Sequence, residues 1–195
     1  GKTTLLRALA RLDDDAEMRG HVTTPARISV LFQDSRLLPW MTVLDNVRLG
    51  LRRTDAAAAA RAMLDAVGLG DKADAWPGTL SGGQMQRASL ARSLLREPEL
   101  LLMDEPFGAL DALTRMRMHA LLFRLVERHR PTVVLVTHDV DEALLLSDRV
   151  LVLKGGRIAE DHAITLPHPR RKHLPSFAVH RSTLLRSLGV EADAV

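Results

Sequence analysis

Two adjacent carboxylates, Asp104 and Glu105, close the apolar run in "LLLMDEP" (residues 100–106). A strand that ends this way puts both acids at the C-terminal edge of a sheet, where open α/β folds bind ligands. Such a pair suits phosphoryl chemistry, in which one carboxylate holds Mg2+ through its waters and a second group orients or deprotonates the attacking water. Asp104 fits the first role and Glu105 the second. A second stretch, "LSGGQMQRASLARSLL" (80–95), pairs a capping hydroxyl with two glycines. Ser81 can cap the helix that follows, while Gly82 and Gly83 let a phosphate approach backbone N–H groups at its positive end. That helix-end interaction contributes about 0.3–1 kcal/mol when exposed and up to about 2 kcal/mol when partly buried. The third stretch is "GKTT" at the start. Gly1, Lys2 and Thr3 match the last three positions of G-x-x-x-x-G-K-[ST], in which backbone N–H groups and a lysine cradle nucleotide phosphates. The first methionine is Met18, so the expectation is a chain that begins inside a phosphate loop, without the loop's first half.

These residues need a scaffold of strands and helices. Nearly continuous apolar runs at 28–32 ("ISVLF"), 100–103, 132–136 ("TVVLV") and 149–153 ("RVLVL") predict strands buried on both faces of a parallel sheet. From Leu110 to His129 apolar residues recur at helical spacing (Leu113, Met116, Ala120, Leu121, Phe123, Leu125), and Pro131 stops the pattern. Strands alternating with helices imply a wound α/β fold. Residues 35–96 read as helical, with an alanine-rich helix ending at Gly68 or Gly70 and a loop at "WPGTLSGG". The expected organisation is a core made of 1–34 and 96–160, a helical subdomain at 35–95 and a C-terminal extension at 161–195. In that extension "PRRKH" (169–173) reads as a solvated linker, with anionic lipid headgroups as the alternative.

Composition sets the outer bounds. The 195 residues are 46% hydrophobic and 26% charged, the balance of a globular domain with one sizeable core. Without cysteine there is neither a disulfide framework nor a thiolate zinc site. No apolar run approaches the roughly 18 residues of a membrane-spanning helix. The net charge of +3 is spread between acids and aromatics are only 3%, so stacking platforms for nucleic acid are nearly absent.

"LSGGQ", "LLLMDEP", "GALD" (108–111) and "VTHD" (136–139), in this order and spacing, resemble the ATP-binding subunit of ABC transporters. The resemblance spans essentially the whole chain and implies a P-loop NTPase core with a mostly parallel sheet and a helical signature subdomain, whose N-terminal β region is missing. It implies ATP and Mg2+ as ligands. Lys2 would bind β/γ-phosphates, Thr3 would ligate Mg2+, and Gly1 and Thr4 would complete the phosphate contacts. Ser81, Gly82, Gly83 and Gln84 would act in trans, completing the ATP site of the opposite subunit of a homodimer. Gln33 becomes the Q-loop residue that senses Mg2+ and the γ-phosphate, Asp104 a metal ligand and Glu105 the catalytic base. Asp111 corresponds to the D-loop and His138 to the switch histidine.

"LFQDSRLLPWMTVLDNVRLGL", "GALDALTR" and "PHPRR" are similar to the nitrate, sulfonate and taurine branch of importers, and within it to those for aliphatic sulfonates. The implied partners are membrane permease subunits, met by the "LLPWMTVLDNV" stretch, and indirectly a periplasmic or extracellular solute-binding protein. The implied location is peripheral, on the cytoplasmic face of the inner membrane. Taurine or nitrate import, an inactive fragment, and an ABC-type ATPase acting on DNA or ribosomes stand as alternatives.

Overall fold

Residues 1–12 and 19–190 are described by a computed structural model. The chain forms two compact units, a smaller one from Gly1–Leu5 with Leu135–Val195 and a larger one from Leu6–Val134.

The larger unit is organised by its central strand. Leu100–Asp104 (β2) has Leu100 to Met103 fully buried, as a continuous apolar run requires. It pairs in parallel with Ile28–Leu31 (β1), Ile28 facing Leu100 and Leu31 facing Met103. Thr132–Val136 (β3) completes a three-stranded sheet ordered β1-β2-β3, its N–H at Thr132 donating to the Glu99 carbonyl (2.8 Å). β3 is half-exposed rather than buried on both faces.

Between β1 and β2 come the helices Val43–Arg48 (α2), Ala56–Ala66 (α3) and Gly82–Leu94 (α4). The alanine-rich helix α3 ends at Gly68, which has φ +70°. Its N–H and that of Leu69 donate to the Asp65 and Leu64 carbonyls (2.9 and 2.8 Å), the double bond of a Schellman cap. The inner helix α4 buries Ala88, Ser89, Leu90, Ala91, Ser93 and Leu94. After β2 runs Ala112–His129 (α5), which buries Met118, Leu121, Leu122 and Leu125. The predicted helix forms, and of its apolar set Leu121 and Leu125 are buried while Leu113 and Met116 are 56% and 71% exposed.

The smaller unit departs most from expectation. Arg149–Lys154 (β4) does not join the parallel sheet; it pairs antiparallel with Arg157–Ala163 (β5). Gly155 and Gly156, at φ +55° and +77°, supply the two positive-φ positions that a two-residue hairpin needs. The β5 sequence "RIAEDHA" carries no apolar run, so nothing in its pattern announced a strand. Val140–Leu146 (α6) and Pro175–Ser187 (α7) pack together through a core of Leu144, Val152, Ile164, Phe177 and Leu184.

The "PRRKH" stretch is exposed at Pro169, Arg171, Lys172 and His173, as a solvated linker would be, but not at Arg170. Arg170 is buried, with its guanidinium donating to the carbonyls of Leu166 (2.9 Å), Leu144 (2.8 Å), Ser147 (2.5 Å) and Ile164 (3.3 Å) and pairing with Asp148 (2.9 Å). Burial pushes the guanidinium pKa down against the pull of Asp148, yet an arginine so placed stays charged. Two of its acceptors are carbonyls at the C-terminal end of α6, groups that no intrahelical donor can reach.

Candidate functional site

In the larger unit the predicted residues fall into two groups. The first lies beyond the C-terminal ends of β1 and β2. Gln33 follows β1 in an exposed loop, Asp104 ends β2 half-buried, and Glu105 comes next. The structure brings Gln33 and Glu105 together around Gly108: a Cβ placed there would sit 3.8 Å from Gln33 Nε2 and 4.0 Å from Glu105 Oε2. The Glu105 backbone has φ +44°, left-handed for a residue with a full side chain and followed by proline. Such a conformation costs about 1–3 kcal/mol and persists only where its surroundings fix it. Two contacts do so here. The Gly108 N–H donates to the Glu105 carbonyl (3.2 Å), and the Gln86 amide Nε2 donates to the Pro106 carbonyl (2.8 Å).

Gln86 belongs to no motif that marks it in the sequence. Only 3% exposed, it also donates to the Phe32 carbonyl (3.2 Å), so one side-chain amide on α4 ties the loop holding Gln33 to the loop holding Glu105. The available signal was a polar residue on the face of α4 that carries Leu90 and Ser93. Arg92 on the same helix donates to the Ser35 and Arg36 carbonyls (2.7 and 2.8 Å), fixing the loop further along, and its burial lowers the guanidinium pKa.

The second group is at the start of α4. Ser81 caps it as predicted. Its hydroxyl accepts from the Gln84 N–H (3.3 Å) and the Gln84 Oε1 accepts from the Ser81 N–H (2.8 Å), a complete capping box. Of the helix's four orphan N–H groups, the box closes those of Ser81 and Gln84, which leaves Gly82 and Gly83 as the donors for an outside acceptor. Gly83 lies against α5: a Cβ there would come within 2.6 Å of Thr114 Cγ2. Asp111 caps α5, accepting from the Leu113 and Thr114 N–H groups (3.0 Å each). Hydrogen bonding to Thr114, its side chain first, holds the exposed Asp111 carboxyl below the ordinary range.

The remaining predicted residues belong to the smaller unit. Lys2, Thr3 and Thr4 open Lys2–Leu9 (α1), all exposed, with the Gly1 carbonyl accepting from the Leu5 N–H (3.0 Å). Their first-turn N–H groups lie at the positive end of the helix dipole, where negative charge is favoured. His138, exposed, stands between β3 and α6. The next residue, Asp139, caps α6 by accepting from the Asp141 and Glu142 N–H groups (2.9 and 3.1 Å).

Each unit separately carries groups of the kind phosphoryl transfer uses: helix-end N–H donors and a lysine in the smaller one, two carboxylates at the end of β2 and the α4 terminus in the larger. By their chemistry, Thr3 in the smaller unit and Gln33 and Asp104 in the larger carry oxygens of the hard kind that Mg2+ takes. Among the described residues no helix is long and apolar enough to cross a membrane.

Residues 1–108 match the family model described as ABC transporter. The chain is 69% identical over all its 195 residues to the aliphatic sulfonates import ATP-binding protein SsuB 1 of Paracoccus denitrificans (strain Pd 1222), of which it covers 81%. It is 67% identical, at the same coverage, to the aliphatic sulfonates import ATP-binding protein SsuB of Delftia acidovorans. Among solved structures it resembles a dimeric ATP-binding cassette in a post-hydrolysis state bound to ADP and Pi, with TM-score 0.69, 30% identity, and coverage of 84% of this chain and 81% of that one. It also resembles a metal-chelate type ABC transporter in an inward-facing conformation, with TM-score 0.75, 28% identity, and coverage of 84% of this chain and 68% of that one. Four motifs in order, a buried central strand running into paired acids, and relatives alike along the whole chain lead to one conclusion: this chain belongs to the ABC transporter family, as an ATPase subunit.

Proposed function

We propose that the chain hydrolyses ATP to drive an importer of aliphatic sulfonates. The observation that carries this reading is identity of 69% and 67% to sulfonate-import ATP-binding proteins along the full chain. The subunit works as a homodimer, peripheral on the cytoplasmic face of the inner membrane, with permease subunits as partners and a solute-binding protein indirectly. Functionally the core is 1–34 with 96–160, the signature subdomain 35–95 and the extension 161–195, whose residues 191–195 lie outside the described residues.

Within the site Gly1, Lys2, Thr3 and Thr4 hold the phosphates of ATP. Ser81, Gly82, Gly83 and Gln84 present the α4 terminus to the nucleotide of the opposite copy, and Asp111 meets that copy. Thr3, Gln33 and Asp104 would hold Mg2+, which when bound neutralises charge on the β- and γ-phosphate oxygens. Glu105 takes the proton of the attacking water, and His138 contacts the γ-phosphate.

Permease contact falls to the loop before α2. Asn46, fully buried, pins it by accepting from the Leu38 N–H (2.6 Å) and donating to the carbonyls of Leu38, Met41 and Thr42 (3.0–3.1 Å). That leaves Trp40 71% exposed on a fixed loop.

The test is complementation of a strain lacking its own sulfonate-import ATPase. Expression of this chain with its genomic permease should restore growth on an alkanesulfonate as sole sulfur source. Restoration of taurine or nitrate use alone would move the substrate, and hydrolysis stimulated by DNA would overturn transport.

A further inference from the structure

We infer that the C-terminal extension is a brace that sets the position of His138, with Lys172 and Arg181 as positioning residues acting through Asp141. The inference rests on the reading of His138 as the residue that contacts the γ-phosphate.

All the contacts lie within the smaller unit. His138 and the first turn of α6 form one hydrogen-bonded piece. The Asp139 N–H donates to Thr137 Oγ1 (3.0 Å), and the Asp139 carboxylate caps the Asp141 and Glu142 N–H groups. A shift of the first turn of α6 therefore carries His138 with it. The extension grips that turn and the far end of the same helix. At the start, Asp141 receives Lys172 Nζ and Arg181 Nε, each at 2.9 Å. At the end, Arg170 gathers the Leu144 and Ser147 carbonyls. Between them Phe177 and Leu184 of α7 pack on Leu144 in a shared core. A helix of seven residues has few intrahelical bonds of its own to fix its ends. Its setting depends on outside contacts, and those from residues 170–184 reach both of its ends.

Arginine and lysine on one carboxylate also make a directional contact. Two cations approaching from different positions on the extension, 31 and 40 residues along the chain, fix the carboxylate better than one. Both cations are partly exposed, at 55% and 36%, so their removal leaves the buried core intact.

The test uses the full chain with Lys172→Ala/Arg181→Ala together, and a charge-swapped variant, Asp141→Arg/Lys172→Asp/Arg181→Asp. The His138 ring resonance is assigned by its loss in His138→Ala and followed by NMR. The double variant should shift or broaden that resonance and lower kcat for ATP hydrolysis roughly tenfold, the scale of a small misplacement, with KM for ATP within about twofold. The charge-swapped chain should recover both. A His138 resonance identical to that of the unaltered chain would overturn the brace whatever happens to kcat. A displaced resonance with full kcat would show that the extension positions His138 but that His138 does not serve hydrolysis, which sinks the catalytic reading instead.

Discussion

The turns that follow β2 and β3 each carry a residue proposed for the reaction, and they are held in opposite ways. After β2, Glu105 sits in a strained left-handed conformation that a buried amide from a neighbouring helix helps to enforce. After β3, His138 is followed by a side-chain cap and a helix tied down by charged groups from the extension. Strain with a buried clamp gives a single allowed geometry. Capping with half-exposed ion pairs gives a geometry that solvent conditions can loosen, since such pairs are screened and titratable. The first turn thus suits a base that must not move, and the second a residue whose contact changes with the state of the nucleotide.

The largest effect belongs to the first turn. Glu105→Gln keeps shape and hydrogen bonding but removes the base, so hydrolysis should fall about 10²–10⁴-fold while nucleotide binding stays intact, read by steady-state turnover beside fluorescent-nucleotide titration. Gln86→Leu should come next. It strips donors from the Phe32 and Pro106 carbonyls, costing about 1–3 kcal/mol in urea unfolding, and turnover should drop roughly tenfold because Glu105 is no longer clamped. Unchanged turnover would erase the contrast between the two turns. Glu105→Gly tests the strain itself: it should raise stability by about 0.5–1 kcal/mol, since glycine occupies positive φ without a Cβ penalty.

The smallest effect is on the second turn and depends on pH. Burial alone would raise the Asp141 carboxyl, but the hydrogen bonds and charges of Lys172 and Arg181 outweigh it and hold the pKa below the ordinary value of about 3.9. A lowered folded pKa means the pairs' contribution is complete above that ordinary value and is lost as pH falls through the folded one. Amide exchange in α7 should therefore accelerate below about pH 4, and Asp141→Asn should remove that step. An α7 that loosens identically with and without Asp141 would leave the two turns indistinguishable in how they are held.

Much of this was legible in the sequence because the signals were local. The β2 run with its terminal acids, the Ser81 cap and the Gly68 stop each follow from a few adjacent residues. What failed was what depends on partners distant in sequence. Leu113 and Met116 have the spacing of a buried stripe, yet only tertiary packing decides which side of an 18-residue helix turns inward. The strand β5 has no apolar signature, because its pairing with β4 leaves much of it exposed. Gln86 looked like one more polar residue of a helix start, and its role appears only when two loops 54 and 20 residues away reach it. "PRRKH" showed basic composition, but nothing in composition tells a solvated arginine from one that satisfies buried carbonyls.

That buried arginine also has a bearing on the order in which the protein is made. The guanidinium that closes the end of α6 lies 26 residues after the Leu144 carbonyl it satisfies. At synthesis rates of about 5–20 residues per second, the carbonyls leave the ribosome roughly 1–5 s before their donor. During that interval the helix after His138 has its cap but not its clamp, so this part of the chain reaches its final form only after the extension has been translated.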